Sequence, residues 1–394
     1  MIEMPRSFDE NYPTNEEYKR FHNKDTSFAK GRRAGYPSFA NPERKKDNMI
    51  KEIPGFSRVD YAFSSGAFTV GQATRSGRGN MNSGLYLWKS LGVAYNPEDV
   101  PAWKGTPKQA AKVVEKAGLY YGASKVGFTA LDKRWVYSHT GDNRPIVFED
   151  VEEGYINEEK VVIPESHKYV IAIAVPMEVE EILYTPAALS PATGMGYSRM
   201  AITAGSLAEF IRGLGYHAIP CGNDTAVSIP IAVQAGLGHV GRMGRLITWE
   251  RGPMVRIAKI FTDMPLEQSP MAPDGIIEFC EVCGKCAKHC PSQSITHDPR
   301  TWEGPTDANN NGAYKWYINA DTCYEYWRQV GSGCGVCFRV CSFTKHEGFL
   351  HDMVKWFIRY LPIFNRAMVW ADEALDYGKI KDPRKYWDEP IIKD

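Results

Sequence analysis

A proline-closed cysteine run, Cys280-x2-Cys283-x2-Cys286-x3-Cys290-Pro291, constrains this chain more than any other feature. It has the spacing of bacterial ferredoxins. Three thiolates on one tight loop can reach three corners of a single iron–sulfur cube. The fourth, displaced by a turn of helix, points towards a neighbouring cube, and the proline ends that turn. A second run, Cys323-x10-Cys334-x2-Cys337-x3-Cys341, keeps the same ending after a longer first gap. The spacing therefore assigns Cys280, Cys283, Cys286 and Cys341 to one 4Fe–4S cluster. Cys290, Cys323, Cys334 and Cys337 go to the other. Zinc would take four ligands from CxxC pairs, often with histidine. A disulfide framework is a device of small secreted domains. Neither fits eight cysteines held in one segment of a 394-residue chain. The ninth, Cys221 in AIPCGND, stands apart and reads as a buried small residue.

Two clusters form an electron wire, so the question becomes what the rest of the chain does with electrons. Lys+Arg and Asp+Glu are equal at 47 each, which argues against nucleic acid as the main partner. The best apolar run, Tyr169 to Met177, is far shorter than the roughly 20 residues a bilayer requires. The start, MIEMPRSFDE, is polar and acidic and is no secretory leader. Ten Trp, 21 Tyr and 17 Phe are enough to build a dense core, an aromatic-lined pocket, or both.

Residues 1 to about 50 are polar and read as an extended arm with little core of its own. A helix is expected from Thr106-Pro107, where threonine caps and proline suits the first turn. The stretch 132–166 is acidic and reads as an irregular surface insertion, whereas Tyr169 to Val175 reads as a buried central strand. A helix is expected from about Tyr197 to Gly213, a strand at YHAIPCG, a helix at SIPIAVQAGLG and a strand from Val255 to Phe261. Residues 107–262 thus alternate helices and strands and suggest a layered core. The tail after residue 346 reads as helix interrupted by Pro362.

Directly upstream of the cysteines, the block from Ala232 to Leu266 (AVQAGLGHVGRMGRLITWERGPMVRIAKIFTDMPL) resembles the reductive dehalogenases. It resembles, more distantly, the epoxyqueuosine reductases. The likeness extends over roughly residues 105–345. It implies an α+β fold, with a nitroreductase-like cobamide-binding core and a bacterial ferredoxin-like two-cluster domain. The implied units are an N-terminal arm and unit (1–89), the core (90–274, with an insertion about 115–166), the ferredoxin-like domain (275–345) and a C-terminal unit (346–394). Gly236, Gly238, Gly241 and Gly244 would let backbone approach the cofactor. No D-x-H-x-x-G pattern is present to offer cobalt a histidine, so the cobamide is expected base-off. By resemblance the catalytic residues are Tyr197, Arg256 and Asn223, with Thr193 and Trp327 lining the substrate pocket. The implied reaction replaces the halogen of a small organohalide, chlorinated and aliphatic, by hydrogen. A tRNA-modifying reductase of the epoxyqueuosine kind is the alternative. The implied partners are a small membrane-anchor subunit and an upstream respiratory electron donor; no nucleic acid is expected, and a homo-oligomer is compatible. The family habit of a twin-arginine leader implies a mature chain at the outer face of the cytoplasmic membrane, its leader removed.

Overall fold

The computed structural model describes residues 5–33, 41–93, 100–188, 191–345 and 348–389. Within them the strands are β1 (Lys125–Ala130), β2 (Ile146–Glu149), β3 (Tyr155–Ile156), β4 (Val161–Pro164), β5 (Tyr169–Pro176), β6 (Ala218–Cys221), β7 (His239–Val240), β8 (Leu246–Ile247) and β9 (Val255–Thr262). The core is a four-stranded sheet in the order β1-β5-β9-β6, every pairing antiparallel. Helices and strands do alternate along 107–262. The antiparallel pairing makes the class α+β rather than a parallel α/β layer.

Both faces of this sheet are covered, which is why β5 reads as one unbroken apolar run. Val170, Ala172 and Ala174 pack on one side with Ile231 and Ala232. Ile171, Ile173 and Val175 pack on the other with Ala201, Ala204 and Ala208. All six strand residues are fully buried, and each Val or Ile contributes roughly 1.5–3 kcal/mol by leaving water.

The helix Pro107–Tyr120 starts where expected, with Thr106 and Gln109 forming a reciprocal cap. The next long helix begins at Ala192 rather than near Tyr197, directly after Pro191, and runs to Gly213. That earlier start places Thr193 and Tyr197 one turn apart on the same helix face. Gly215 closes the helix at φ +88°.

Two expectations need correction. Residues 1–50 are more than an arm: they hold the helices Phe8–Asn11, Ser27–Arg33 and Pro42–Ile50, and Tyr12 is buried in the main core. Val240 N donates to the Tyr12 hydroxyl at 2.9 Å, and Phe8 packs edge-on against Trp135. A few aromatics dock a mostly polar segment. The stretch 132–166 is likewise not irregular surface, for β2, β4 and β3 form a small sheet whose Val161, Val162 and Ile163 are fully buried. Cys221 is buried as expected, and burial pushes its thiol well up. In the tail, the helix Phe349–Tyr360 gives way at Pro362 to a short 3-10 turn and the helix Asn365–Ala374. Among the described residues no helix is long and apolar enough to cross a membrane.

Candidate active site and electron-transfer centres

Tyr197 sits at the meeting point of the long helix, β9 and the loop after β6. Strand alternation turns Arg256 to the same face of β9 as Ala258 and Ile260, towards that helix. Its Nη2 donates to Thr193 Oγ1 at 2.8 Å, and its guanidinium carbon lies 4.7 Å from the centroid of the Tyr197 ring. The Asn223 side-chain amide donates to the Tyr197 hydroxyl at 2.8 Å. The amide thus supports the phenol oxygen and leaves the O–H proton available to another acceptor. Burial alone would raise the phenol. Arg256, Arg78, the Asn223 amide and Arg245 together outweigh it, and Tyr197 ends below its ordinary value.

The loop carrying Asn223 is held from beneath by a group that sequence reading missed. Lys259, fully buried, donates to Gly222 O and, at 3.0 Å, to Ser228 Oγ. Asp224 ties the loop to itself, accepting from Gly222 N and from Thr225 Oγ1, each at 2.8 Å. A lysine inside a strand has an obvious surface reading; only the packing shows it turned inward to cap a loop.

Residues from the first eighty of the chain close the other side. The Phe68 ring stacks on Tyr197 at 6.4 Å, and Arg78 lies 5.7 Å from the same ring. Arg78 is also 5.9 Å from Phe28, which is 5.7 Å from Trp327. Trp327 therefore joins the pocket wall through Phe28. Thr193, Tyr197, Asn223 and Arg256 are brought together directly. Phe28, Phe68, Arg78 and Arg245 were missed because nothing in their spacing relates them to the tyrosine; the one local signal is the glycine-dense RSGRGN around Arg78.

The eight cysteines of the two runs gather into the two groups that spacing assigned. Cys280, Cys283, Cys286 and Cys341 line one small cavity together with Met243 and Ile247. In the second group Cys323 is electrostatically coupled to Cys334 and Cys290, and Cys337 to Cys334 and Cys323. Cys337 also feels Cys286 of the first group, so the two groups adjoin. Burial pushes up the thiols of Cys280, Cys283, Cys286, Cys334 and Cys337, that of Cys323 to about 11 and that of Cys341 to about 12. A buried thiol without a cation stays neutral; iron must supply the charge that makes it a thiolate ligand. Four thiols around one cavity and four beside it suit a pair of cubes. Ser294 N donates to Cys290 Sγ at 3.3 Å, the kind of contact that tunes cluster potentials. Arg245 acts on Cys323 and Cys337 and also on Tyr197, so the second group and the phenol share one charged neighbour.

The glycines of the block divide into two kinds. A Cβ on Gly236 would stand 2.1 Å from Pro270 O, one on Gly238 2.1 Å from Ile247 O, and one on Gly241 2.3 Å from Ile247 Cδ1. Protein atoms close these three positions, so their smallness serves internal packing. Gly244 differs: at φ +64°, its Cβ would meet nothing nearer than 3.4 Å. For a large cofactor the fitting features are Gly244 and the buried Arg256 Nε, which has no hydrogen-bond partner among the described residues. His239, inside the same block, has Nε2 near Ala272 O and Pro273 O, both at 3.2 Å, and Nδ1 at 3.3 Å from the Tyr12 hydroxyl. Both its nitrogens are engaged, so it offers no ligand to cobalt.

Residues 139–266 match the family described as the reductive dehalogenase subunit, and residues 279–344 match a 4Fe-4S double cluster binding domain. Over these two segments the chain is similar to the reductive dehalogenases. It is 36 % identical over 329 residues to the tetrachloroethene reductive dehalogenase of Sulfurospirillum multivorans, a match covering 79 % of this chain. The chain spans 65 % of that relative's length, just under two thirds. The fold is that of the catabolic reductive dehalogenase NpRdhA, with a TM-score of 0.70 at 20 % identity over 94 % of this chain and 48 % of the other. Similarity to the epoxyqueuosine reductase of Lactococcus garvieae is confined to 122 residues at 26 % identity, 30 % of this chain and 32 % of the other.

Proposed function

We propose that this chain carries out reductive dehalogenation of a small chlorinated aliphatic, replacing halogen by hydrogen. The observation that carries the reading is the Tyr197–Asn223–Arg256 arrangement together with two groups of four buried or half-buried cysteines. Cys280, Cys283, Cys286 and Cys341 would hold one 4Fe–4S cluster, and Cys290, Cys323, Cys334 and Cys337 the other. A cobamide would lie against Gly244 and the Arg256 side, where it supplies a strongly reducing cobalt centre able to break a carbon–halogen bond. The overall change consumes two electrons and one proton and releases halide. Tyr197 supplies the proton: its O–H breaks, the proton goes to carbon, and the electron pair stays on the phenolate oxygen until water reprotonates it. Arg256 and the Asn223 amide stabilise that phenolate. Thr193 fixes Arg256, and Trp327, Phe28 and Phe68 keep the pocket apolar, favouring a small halocarbon. The balanced charge and the short match to the epoxyqueuosine reductase favour this reading over tRNA modification.

The partners follow from the same reading. They are an upstream electron donor and a small membrane-anchor subunit holding the chain at the outer face of the cytoplasmic membrane. The test is Tyr197→Phe in protein loaded with clusters and cobamide. It removes one hydroxyl and little volume, so both cofactors should remain. Turnover of a chlorinated ethene should fall about 10²-fold or more, the scale of a lost general acid. Near-unchanged turnover in a cofactor-replete variant would remove Tyr197 from the mechanism. Activity on a modified tRNA with none on organohalides would overturn the substrate class.

A further inference from the structure

Arg78 has no part in the mechanism so far, yet it is built into the site from two directions. It lies in the loop after the helix Thr69–Ala73, outside the residues matched to the dehalogenase subunit. Its guanidinium carbon is 5.7 Å from the Tyr197 ring and 5.7 Å from the Phe68 ring. Both distances are within the reach of a cation over an aromatic face. Its carbonyl accepts from Asn223 N at 2.9 Å. One residue thus touches the phenol ring with its side chain and the loop of the supporting amide with its backbone.

The approach of the two loops depends on glycine. Gly79 has φ +107°, and a Cβ there would stand 2.4 Å from Asn223 N and 2.5 Å from Gly222 Cα. The reciprocal holds, for a Cβ on Gly222 would lie 2.5 Å from Gly79 Cα. The Arg78 loop is braced in turn. Ser76 is fully buried and its hydroxyl accepts from Leu85 N at 2.9 Å. Ser198, the neighbour of Tyr197, donates to Ala67 O at 2.7 Å and so ties the preceding helix to the tyrosine helix.

We propose that Arg78 is a positioning residue of the proton-donor site: its guanidinium stabilises negative charge on Tyr197 as the proton leaves, and its carbonyl fixes the Asn223 loop. This rests on Tyr197 being the donor. The groups acting on Tyr197 are then Arg256 from β9, Arg245 from the turn between β7 and β8, Arg78 and Asn223 from the two facing loops, and Tyr86 from the 3-10 turn Gly84–Tyr86. Arg78 is the cation contributed by the N-terminal unit, so donor strength depends on that unit being docked.

The experiment compares Arg78→Gln and Arg78→Lys with the parent and with Tyr197→Phe. Iron and cobalt are quantified in each. Turnover of a chlorinated ethene is followed against pH. Tyr197 must be protonated to act, so the high-pH limb of the profile marks its ionisation. Removing one cation should move that limb up by about one pH unit and lower kcat near neutrality roughly 10-fold, with KM little changed. Arg78→Lys keeps a cation and should restore most of the limb position. Adding Arg78→Gln to Tyr197→Phe should change nothing further in the profile. A second readout needs no cofactor, so a poorly loaded variant still answers. The tyrosinate absorbance titration of the chain, minus that of Tyr197→Phe, isolates one phenol and should shift upward in Arg78→Gln. An unmoved limb together with an unmoved tyrosinate titration overturns the proposal while leaving Tyr197 in place. Full turnover of loaded Tyr197→Phe instead removes the donor, and the role of Arg78 with it.

Discussion

Eight ligand-type side chains come from one continuous stretch, Cys280 to Cys341, whereas the pocket around Tyr197 draws on widely separated segments. Phe28, the Phe68–Arg78 stretch, Thr193 with Tyr197, Asn223, Arg256 and Trp327 meet only because a sheet, a long helix and two glycine-bearing loops bring them together. In the cysteine stretch, loop geometry over three or four residues sets where each thiol points. In the pocket, each distance is the outcome of packing between elements far apart in sequence. Damage should therefore stay local in the first region and spread in the second.

The largest effect should come from Cys323→Ala. Locally held clusters predict the loss of one and survival of the other, with iron falling from about eight to about four per chain and turnover abolished. Electron paramagnetic resonance should still show the second signal. Loss of both signals would mean that the two groups fold as one unit and the comparison fails.

Gly79→Val is the converse. It inserts a β-branched side chain at φ +107° and pushes the Arg78 and Asn223 loops apart. Turnover should drop about 10²-fold while iron stays near eight, because catalysis depends on geometry that the clusters do not share. Equal loss of iron and activity would show the pocket loops supporting the cysteine segment as well. A smaller effect is expected from Arg256→Lys. The charge stays over the ring, but the planar fork that also reaches Thr193 is lost, so turnover should fall about 10-fold and the pH profile should shift.

The smallest effect gives a baseline away from both regions. His167 is buried beside the His217–Asp263 pair, and burial holds it down at about 4. A base depressed on folding keeps its full stabilising contribution above the unfolded value of about 6.5 and loses it as pH falls towards the folded value, by about 1.4 kcal/mol per unit. Thermal melts should therefore show Tm declining below that pH in the parent, and a flatter dependence in His167→Gln. Dehalogenation at neutral pH should be indifferent to this substitution. A neutral-pH loss of turnover would make the turn between β4 and β5 part of the catalytic assembly.

Much of the fold was legible in the residues. The capped start at Thr106, the unbroken apolar strand at Tyr169 and the glycine end at Gly215 are local signals, and they lie where expected. The irregular reading of 132–166 failed because its charged turns hid three short strands, and the arm reading of 1–50 failed because a few aromatics suffice to dock a polar segment. Tyr197, Asn223 and Arg256 were legible only through family resemblance. Taken singly, a tyrosine on a helix and an arginine on a strand carry no catalytic signal. At 236, 238 and 241 the sequence could not tell a glycine that faces a cofactor from one that makes room for Pro270 or Ile247.

By itself the sequence determined the number and spacing of the cysteines, the buried strand and the helix ends, because each is written in a local run of residues. Tertiary structure alone decided that Lys259 turns inward beneath the Asn223 loop, that Gly79 and Gly222 pack face to face, and that Arg78 joins Arg256 on the Tyr197 ring. The physical reason is that an ionisable side chain takes its role from the charges and dielectric around it. Those are fixed by which distant elements share a face, which no local pattern records.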